Sequence, residues 1–360
     1  MDLRLRAATG LAVAAVGALF ALPAPLPAPP AASAPPAAGP PVPLETAWPA
    51  ARTGTIPGVQ PDGTTFLPLL VLDPDSATGM LTGGGRPPAY VLRSAAGIRE
   101  LSPGVTGLAR TLDAYTAAAG RLFWFVSVKD LSGGQRTTLW TADVAGGPAR
   151  VLTADTGTPR VRGGALDLQV ADGAVRWLAE GPAGDSELRS VPVGGGPVTR
   201  ARYPGRLLLS AWPWASPAVS TSDAPVELVD LVTGARRKVP AAKGRHLSCG
   251  PAWCRSTDDG VLELRRVDGS DARRFGGVGS RPAGYPIGSV TDLDVYTGTV
   301  TSTATGLVRP LMVYDVPGRR TVLVSPSAGA VGARGDWLLW STGDNEGIVW
   351  HHLDLRSLRP

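Results

Sequence analysis

Gly120-Arg121-Leu122-Phe123-Trp124-Phe125, followed by Leu139-Trp140-Thr141-Ala142-Asp143-Val144 and the turn Gly146-Gly147-Pro148, decides how this chain folds. Each apolar run has the length of a strand, is rich in aromatic and branched residues, and is bounded by Gly, Pro or Asp, the pattern of antiparallel hairpins. The unit recurs as Gly173-Ala174-Val175-Arg176-Trp177-Leu178, Leu188-Arg189-Ser190-Val191-Pro192-Val193 and Gly194-Gly195-Gly196-Pro197, with Trp again four residues after Gly.

Working outward, the apolar residue before each turn marks seven copies: Leu92, Val144, Val193, Leu231, Val267, Val316 and Leu355, spaced 36 to 52 residues apart. That spacing brackets the ~40 to 50 residues of a four-stranded propeller blade. Each anchor has an apolar partner run upstream, at 66–72, 122–128, 174–179, 207–214, 252–254, 293–300 and 337–340. Seven pairs predict an all-β, seven-bladed β-propeller, with six blades as the alternative. The last unit supplies three strands at most. The segment 42–60, with its apolar residues near Trp48, is therefore predicted to pair with it and close the ring, which leaves no open sheet edge.

Composition is consistent with a folded domain: 43% of the residues are hydrophobic and ten are Trp. Lysine is confined to Lys129, Lys238 and Lys243 against a large excess of Arg, the bias of GC-rich, actinobacterial-type coding, so the formal charge of +5 carries little meaning. The densest basic groups, Arg236-Arg237-Lys238 and Arg273-Arg274, sit in predicted hairpins without the aromatic interleaving of a nucleic-acid groove, and no nucleic-acid partner is expected.

Arg4 and Arg6 precede an apolar run at 7–22 and then Pro and Ala, the order of an export signal or N-terminal anchor. Its 16 residues are short against the ~20 that span a bilayer. Ala32-Ser33-Ala34 offers a cleavage triplet but is followed by Pro35, and no Cys lies near enough for a lipoprotein anchor. Residues 23–43, dominated by Pro and Ala, read as an extended linker, leaving 44–360 as the propeller domain. The expected location is extracytoplasmic, with membrane contact only through the N-terminal segment. The two cysteines, Cys249 and Cys254, end one strand and begin the next across a tight turn, and are expected to form a structural disulfide.

Pro61-Asp62-Gly63 leading into an apolar strand, with Ala171-Asp172-Gly173 as a degenerate second copy, resembles the repeat of TolB-type and WD40-like bacterial propellers over residues 60–360. No Trp-Asp dipeptide ends a strand, a departure from true WD40 repeats. The resemblance implies a propeller that acts by binding partners.

No residue set compels an enzyme. His351 and His352 are adjacent in a predicted strand and must face opposite ways, and His246 lies in another blade, so no His-based metal site is expected. Gly184-Asp185-Ser186 is a hairpin tip, and no Gly-x-Ser-x-Gly elbow exists. Ser256-Thr257-Asp258-Asp259-Gly260 starts like a sialidase turn but lacks its Trp. Asp73, Asp75 and Thr78, or Asp344-Asn345-Glu346, could offer oxygens to calcium but lack EF-hand spacing. The runs Gly83-Gly84-Gly85 and Gly194-Gly195-Gly196 lack the Lys-Ser/Thr of a phosphate cradle. No cofactor is expected.

Propellers bind at the central funnel or across the loops of one face. Trp212, Trp214 and Trp253, near strand ends, are candidate stacking groups, the alternative being that they fill the layers between blades. The favoured reading is a non-catalytic, exported propeller that binds a protein, peptide or glycan of the cell envelope. The alternative is a glycan-acting hydrolase or lyase whose acids meet at the funnel, with Asp167, Asp292 and Asp294 as candidates; paired carboxylates would lie ~5 to 10 Å apart. A membrane-anchored sensor is a third reading. A funnel lined by clustered acids or His would favour the enzyme, one lined by Gly, Ser and Thr the binder.

Overall fold

The computed structural model describes residues 39–102, 110–129, 134–218, 223–258, 260–283, 292–303, 306–344 and 347–358. The export segment 1–22 and all but the end of the linker 23–43 lie outside the described residues.

The described chain forms seven antiparallel sheets in sequence order. Blade one comprises Thr65–Asp73, Ser76–Gly83, Arg86–Ser94 and Gly97–Ser102, and blade two comprises Arg110–Ala118, Arg121–Lys129, Gln135–Asp143 and Arg150–Thr153. Blade three runs Gln169–Ala171, Ala174–Glu180, Ser186–Pro192 and Thr199–Tyr203; blade four runs Leu207–Leu209, Trp214–Pro217, Val226–Asp230 and Arg236–Val239. Blade five is Ser248–Cys249, Trp253–Asp258, Val261–Arg266 and Arg273–Gly276. Blade six is the largest, with Arg281–Pro282, Leu293–Thr297, Gly306–Asp315 and Arg320–Ala328, plus Thr301–Thr303 as a hairpin extension.

Blade seven takes three strands from the C-terminal end, Val331–Arg334, Trp337–Thr342 and Val349–Asp354, and its fourth from Arg52–Pro57, paired antiparallel from Arg52 opposite Asp354 to Pro57 opposite Val349. The closing strand is thus the predicted N-terminal one. The same segment reaches further than the sequence suggested. Val42–Pro43, where the predicted linker and the predicted closing segment overlap, adds in parallel to the outer strand of blade six rather than to blade seven, opposite Val322 and Leu323, and a single helical turn at Leu44–Ala47 connects the two strands.

The quoted stretch shows why blades stack. In Arg121–Lys129 the residues Leu122 to Val126 are all buried, because alternate side chains face different neighbours. Leu122, Trp124 and Val126 pack with Tyr90, Leu92 and Leu101 of blade one, whereas Phe123 and Phe125 pack with Val175, Trp177 and Val191 of blade three. Seven such apolar clusters occur among the described residues, one at each contact between successive blades. The seventh joins Ile56, Trp337, Leu339 and Trp350 of blade seven to Phe66, Val71 and Val91 of blade one, completing the ring.

Turn chemistry fixes the hairpins. In the Pro61-Asp62-Gly63 turn the Asp62 carboxylate accepts from the Thr64 amide at 3.0 Å and the Thr64 hydroxyl at 2.6 Å. His351 and His352 do face opposite ways. His351 stacks on Trp340 and meets the Thr342 hydroxyl at 2.7 Å, and His352 packs edge-on to Trp337. Only a glycine fits opposite His352 in the closing strand, since a Cβ at Gly54 would lie 2.5 Å from the imidazole.

Asp354 ties the closure together. Its buried carboxylate accepts from Arg52 of the closing strand at 2.6 Å and from the Arg356 side chain at 2.8 Å and amide at 3.0 Å. Burial pushes this carboxyl up, but Arg356 and Arg52 together outweigh it and hold the group below its ordinary value. A carboxyl with a depressed folded pKa stabilises the fold above its unfolded value, near ~4, and that contribution is lost as pH falls through the folded value. The thermal midpoint of the wild type is therefore expected to fall more steeply than that of Asp354→Asn when pH is lowered from 5 to 3. Parallel pH profiles would remove this role from Asp354.

Candidate functional site

The inner strands of the blades face a central funnel, and two clefts open there. The first, of about 250 Å³, is lined by Leu208, Leu209 and Ser210 of blade four, by His246 to Trp253 of blade five, by Ser216, Pro217 and Ala218, and by Arg162, Gly164, Leu166 and Asp167 from the connection into blade three. The second, of about 370 Å³, is lined by Pro68 to Val71 of blade one, Tyr115 of blade two, Ala330 to Arg334 of blade seven, and residues 162–165. The connection 162–167 therefore stands between the clefts.

That connection is built from its own polar groups. The Asp167 carboxylate accepts from the Arg162 and Gly164 amides, each at 2.8 Å, which buckles the loop, and Gly163 takes a φ of +75°, where a side chain would be strained. Burial pushes the Asp167 carboxyl above its ordinary value, with the two amides and Arg334 opposing. The Arg162 guanidinium donates to the Ala218 carbonyl in blade four. Arg334, on the inner strand of blade seven, lies 4.0 Å over the Tyr115 ring and donates to the carbonyls of Gly163 at 3.0 Å and Gly164 at 3.1 Å. It thus joins blades seven, two and three across the funnel.

Of the three acids singled out from sequence, Asp167 lines a different cleft from Asp292, and Asp292 and Asp294, two residues apart at the start of a blade-six strand, sit in different surroundings. Asp167 lines the first cleft, committed to loop amides. Asp292 is exposed and lines a separate crevice of about 650 Å³ between the N-terminal turn at Ala47 and Trp48 and blade six. Asp294 is buried between blades five and six and receives the Arg255 guanidinium at 2.7 Å. Burial pushes its carboxyl up, and Arg255 opposes that shift.

The tryptophans are likewise placed apart from an open stacking role. Trp253 is 5% exposed and sits in the layer between blades five and six, with Arg266 at 4.2 Å and Arg273 at 5.5 Å from its ring. Trp212 and Trp214 are half-buried. Arg176 covers Trp212 at 4.1 Å, and the Trp212 indole donates to Asp172 at 3.2 Å; Arg237 covers Trp214 at 4.9 Å. Charged partners satisfy these rings at the blade margins, where an indole is part apolar and part wet.

Cys249 and Cys254 are cross-strand partners with sulfurs 2.08 Å apart, and Cys249 lines the first cleft. Among the described residues no group of three or more His, Cys, Asp or Glu is arranged to hold a metal ion. The Asp73 carboxylate accepts from the Asp75 amide at 2.9 Å and from the Ser76 hydroxyl, closing a turn; Asn345 and Glu346 of the other calcium candidate lie outside the described residues. Ser186 is fully buried and donates to the Gly205 carbonyl at 2.8 Å.

Sequence reading missed Arg162, Tyr115 and Arg334. The one available signal was Arg162-Gly163-Gly164 within an unusually long connection between blades.

No known protein family matches the sequence, and neither does any curated protein. Solved structures do resemble it. YCF48 bound to D1 peptide aligns with a TM-score of 0.47 at 10% identity, over 84% of this chain and 95% of that one. TolB from Acinetobacter baumannii aligns at 0.38 and 12% identity, over 70% of this chain and 64% of that one. A prolyl endopeptidase aligns at 0.39 and 11% identity over 78% of this chain, which spans only 52% of the endopeptidase's length. The chain is a seven-bladed β-propeller, and its likeness to these structures is one of architecture alone.

Proposed function

We propose that this chain is a non-catalytic binding module, exported to the cell envelope by its N-terminal segment, and that it takes a peptide segment of a protein partner in the cleft between blades three, four and five. The observation that carries this reading is the character of the cleft wall. Gly164, Ser210, Ser216, Ser248 and Gly250 alternate with leucines, and the one carboxylate among the lining residues, Asp167, is spent on its own loop. Small side chains and a few fixed polar groups in a concave, partly apolar cleft suit a peptide backbone. Asp167 is engaged by its own loop amides and Asp294 by Arg255, and Asp167 lines a different cleft from Asp292, so a paired-carboxylate mechanism draws no support from these three.

The test is selection of peptides from a random display library on the full chain, followed by titration against two variants. Ser248 is exposed and lines the cleft, so Ser248→Trp is expected to weaken a selected peptide at least tenfold. Val232, exposed on a turn of blade four, is the control, and Val232→Ser is expected to leave affinity unchanged. Equal affinity for wild type and Ser248→Trp would place binding elsewhere. Release of reducing sugar from cell-wall glycan by the wild type would favour the hydrolase instead.

A further inference from the structure

Residues 162–165 line the two clefts of the funnel, and among the described residues none of them belongs to an apolar cluster. The ends of the connection are anchored: Leu168 is buried and Val161 packs beside it in the layer between blades two and three. Between these anchors Arg162 and Gly163 are exposed, and Gly164, Ala165 and Leu166 are half-buried. Polar attachments hold the segment, among them a Gln169 amide donated to the Leu166 carbonyl, and three of them act on residues 162–164. These three are the Asp167 buckle, the Arg162 contact to Ala218, and the Arg334 guanidinium on two successive carbonyls.

We propose that residues 162–165 are a removable plug, latched across the funnel by Arg334, which keeps the two clefts apart until a peptide partner displaces it. This rests on the binding reading above and adds the device that regulates it. Three features support detachment. The latch residue comes from the inner strand of blade seven, while both anchors lie in the connection between blades two and three, so it can let go without disturbing the core that holds Val161 and Leu168. The groups it releases are backbone carbonyls beside open clefts, where water can replace the guanidinium. With the segment swung aside, the cleft of blades three to five and the cleft of blades seven, one and two would share one groove, because Arg162 and Gly164 line both. The plug also shows what the groove accepts: a turn of polypeptide with two consecutive carbonyls read by an arginine lying on Tyr115.

The experiment compares the full-length wild type with Arg334→Ala and, in case that variant folds poorly, with Asp167→Ala, which frees the same segment from its other end. Trypsin cleavage of the Arg162–Gly163 bond, followed by mass spectrometry, is expected to be at least tenfold faster in either variant, with the thermal midpoint of the uncut propeller still well above the digestion temperature. Cleavage at the wild-type rate in a folded variant would overturn the latch. A library-selected peptide is expected to bind Asp167→Ala, which frees the segment and keeps Arg334 available to the peptide, at least fivefold more tightly than wild type. Equal or weaker binding by Asp167→Ala, once its segment has become cleavable, would overturn occlusion. If the wild type selects no peptide, the binding reading fails, while the cleavage rates still decide whether the latch exists.

Discussion

A chain lacking residues 39–58 is expected to lose cooperative thermal unfolding altogether. The deletion removes Arg52–Pro57, the fourth strand of blade seven, and with it six residues of antiparallel pairing to Val349–Asp354. It exposes the long edge of Val349–Asp354, an invitation to strand addition by other chains. It takes Ile56 out of the cluster between blades seven and one, where Phe66, Val71, Trp337 and Trp350 would then meet water. It also removes Val42–Pro43 from blade six and Trp48 from the layer between blades six and seven. A ring depends on every contact, so losing one strand at the closure is felt by all seven sheets. The check is calorimetry and light scattering of the truncated chain beside the full one. A single sharp transition within a few degrees of the wild type would show that closure by this strand is dispensable.

Arg255→Met is expected to cost about 3 to 5 kcal/mol, because it strands the Asp294 carboxylate between blades five and six. The pair is among the most buried in the molecule, with side-chain exposures of 7% and 2%. Among the described residues the second oxygen of Asp294 has no side-chain partner, so Arg255 is the main attachment that offsets its desolvation, with the Val295 amide adding to it. The sign of the pH dependence follows from burial. Without Arg255 the carboxyl pKa rises further above its unfolded value, so the folded state binds the proton more readily. The penalty should therefore be largest near neutrality and shrink as pH falls toward ~4, the ordinary aspartate value. The double variant Arg255→Met with Asp294→Leu is expected to recover most of the loss, since removing both charges removes the desolvation cost as well. Urea unfolding at pH 7 and pH 5 measures all three. A single variant that costs less than about 1 kcal/mol would mean that water reaches the pair, as at exposed ion pairs.

Much of the architecture is written locally and could be read. Leu122 to Val126 alternates between two neighbouring layers, so an unbroken apolar run in strand-length units already implies sheets stacked on both sides. The closing strand was legible because the last unit was one strand short. Val42–Pro43 was not, because a two-residue parallel strand within a Pro/Ala-rich stretch carries no periodic signal. Trp253 shows another limit: the sequence puts it at a strand end, but only the packing of Leu264, Phe275 and Tyr314 around it decides that it is buried. The funnel was the least legible part. Arg334 meets Gly163 across 171 positions of sequence, and Tyr115 across 219, and each contact depends on ring closure that no local pattern encodes. Asp167 was placed near the funnel on the grounds that inner strands converge there, yet its role as the buckle of its own loop depends on amides that no motif announces.

The most direct test of the binding cleft is hydrogen–deuterium exchange of the full chain with and without a selected peptide. Slowed exchange is expected in residues 208–218 of blade four and 246–253 of blade five, together with faster exchange at 162–165 as the plug leaves. Protection confined to the crevice around Trp48 and Arg320, or to the outer strands, with the funnel segments unchanged, would contradict it.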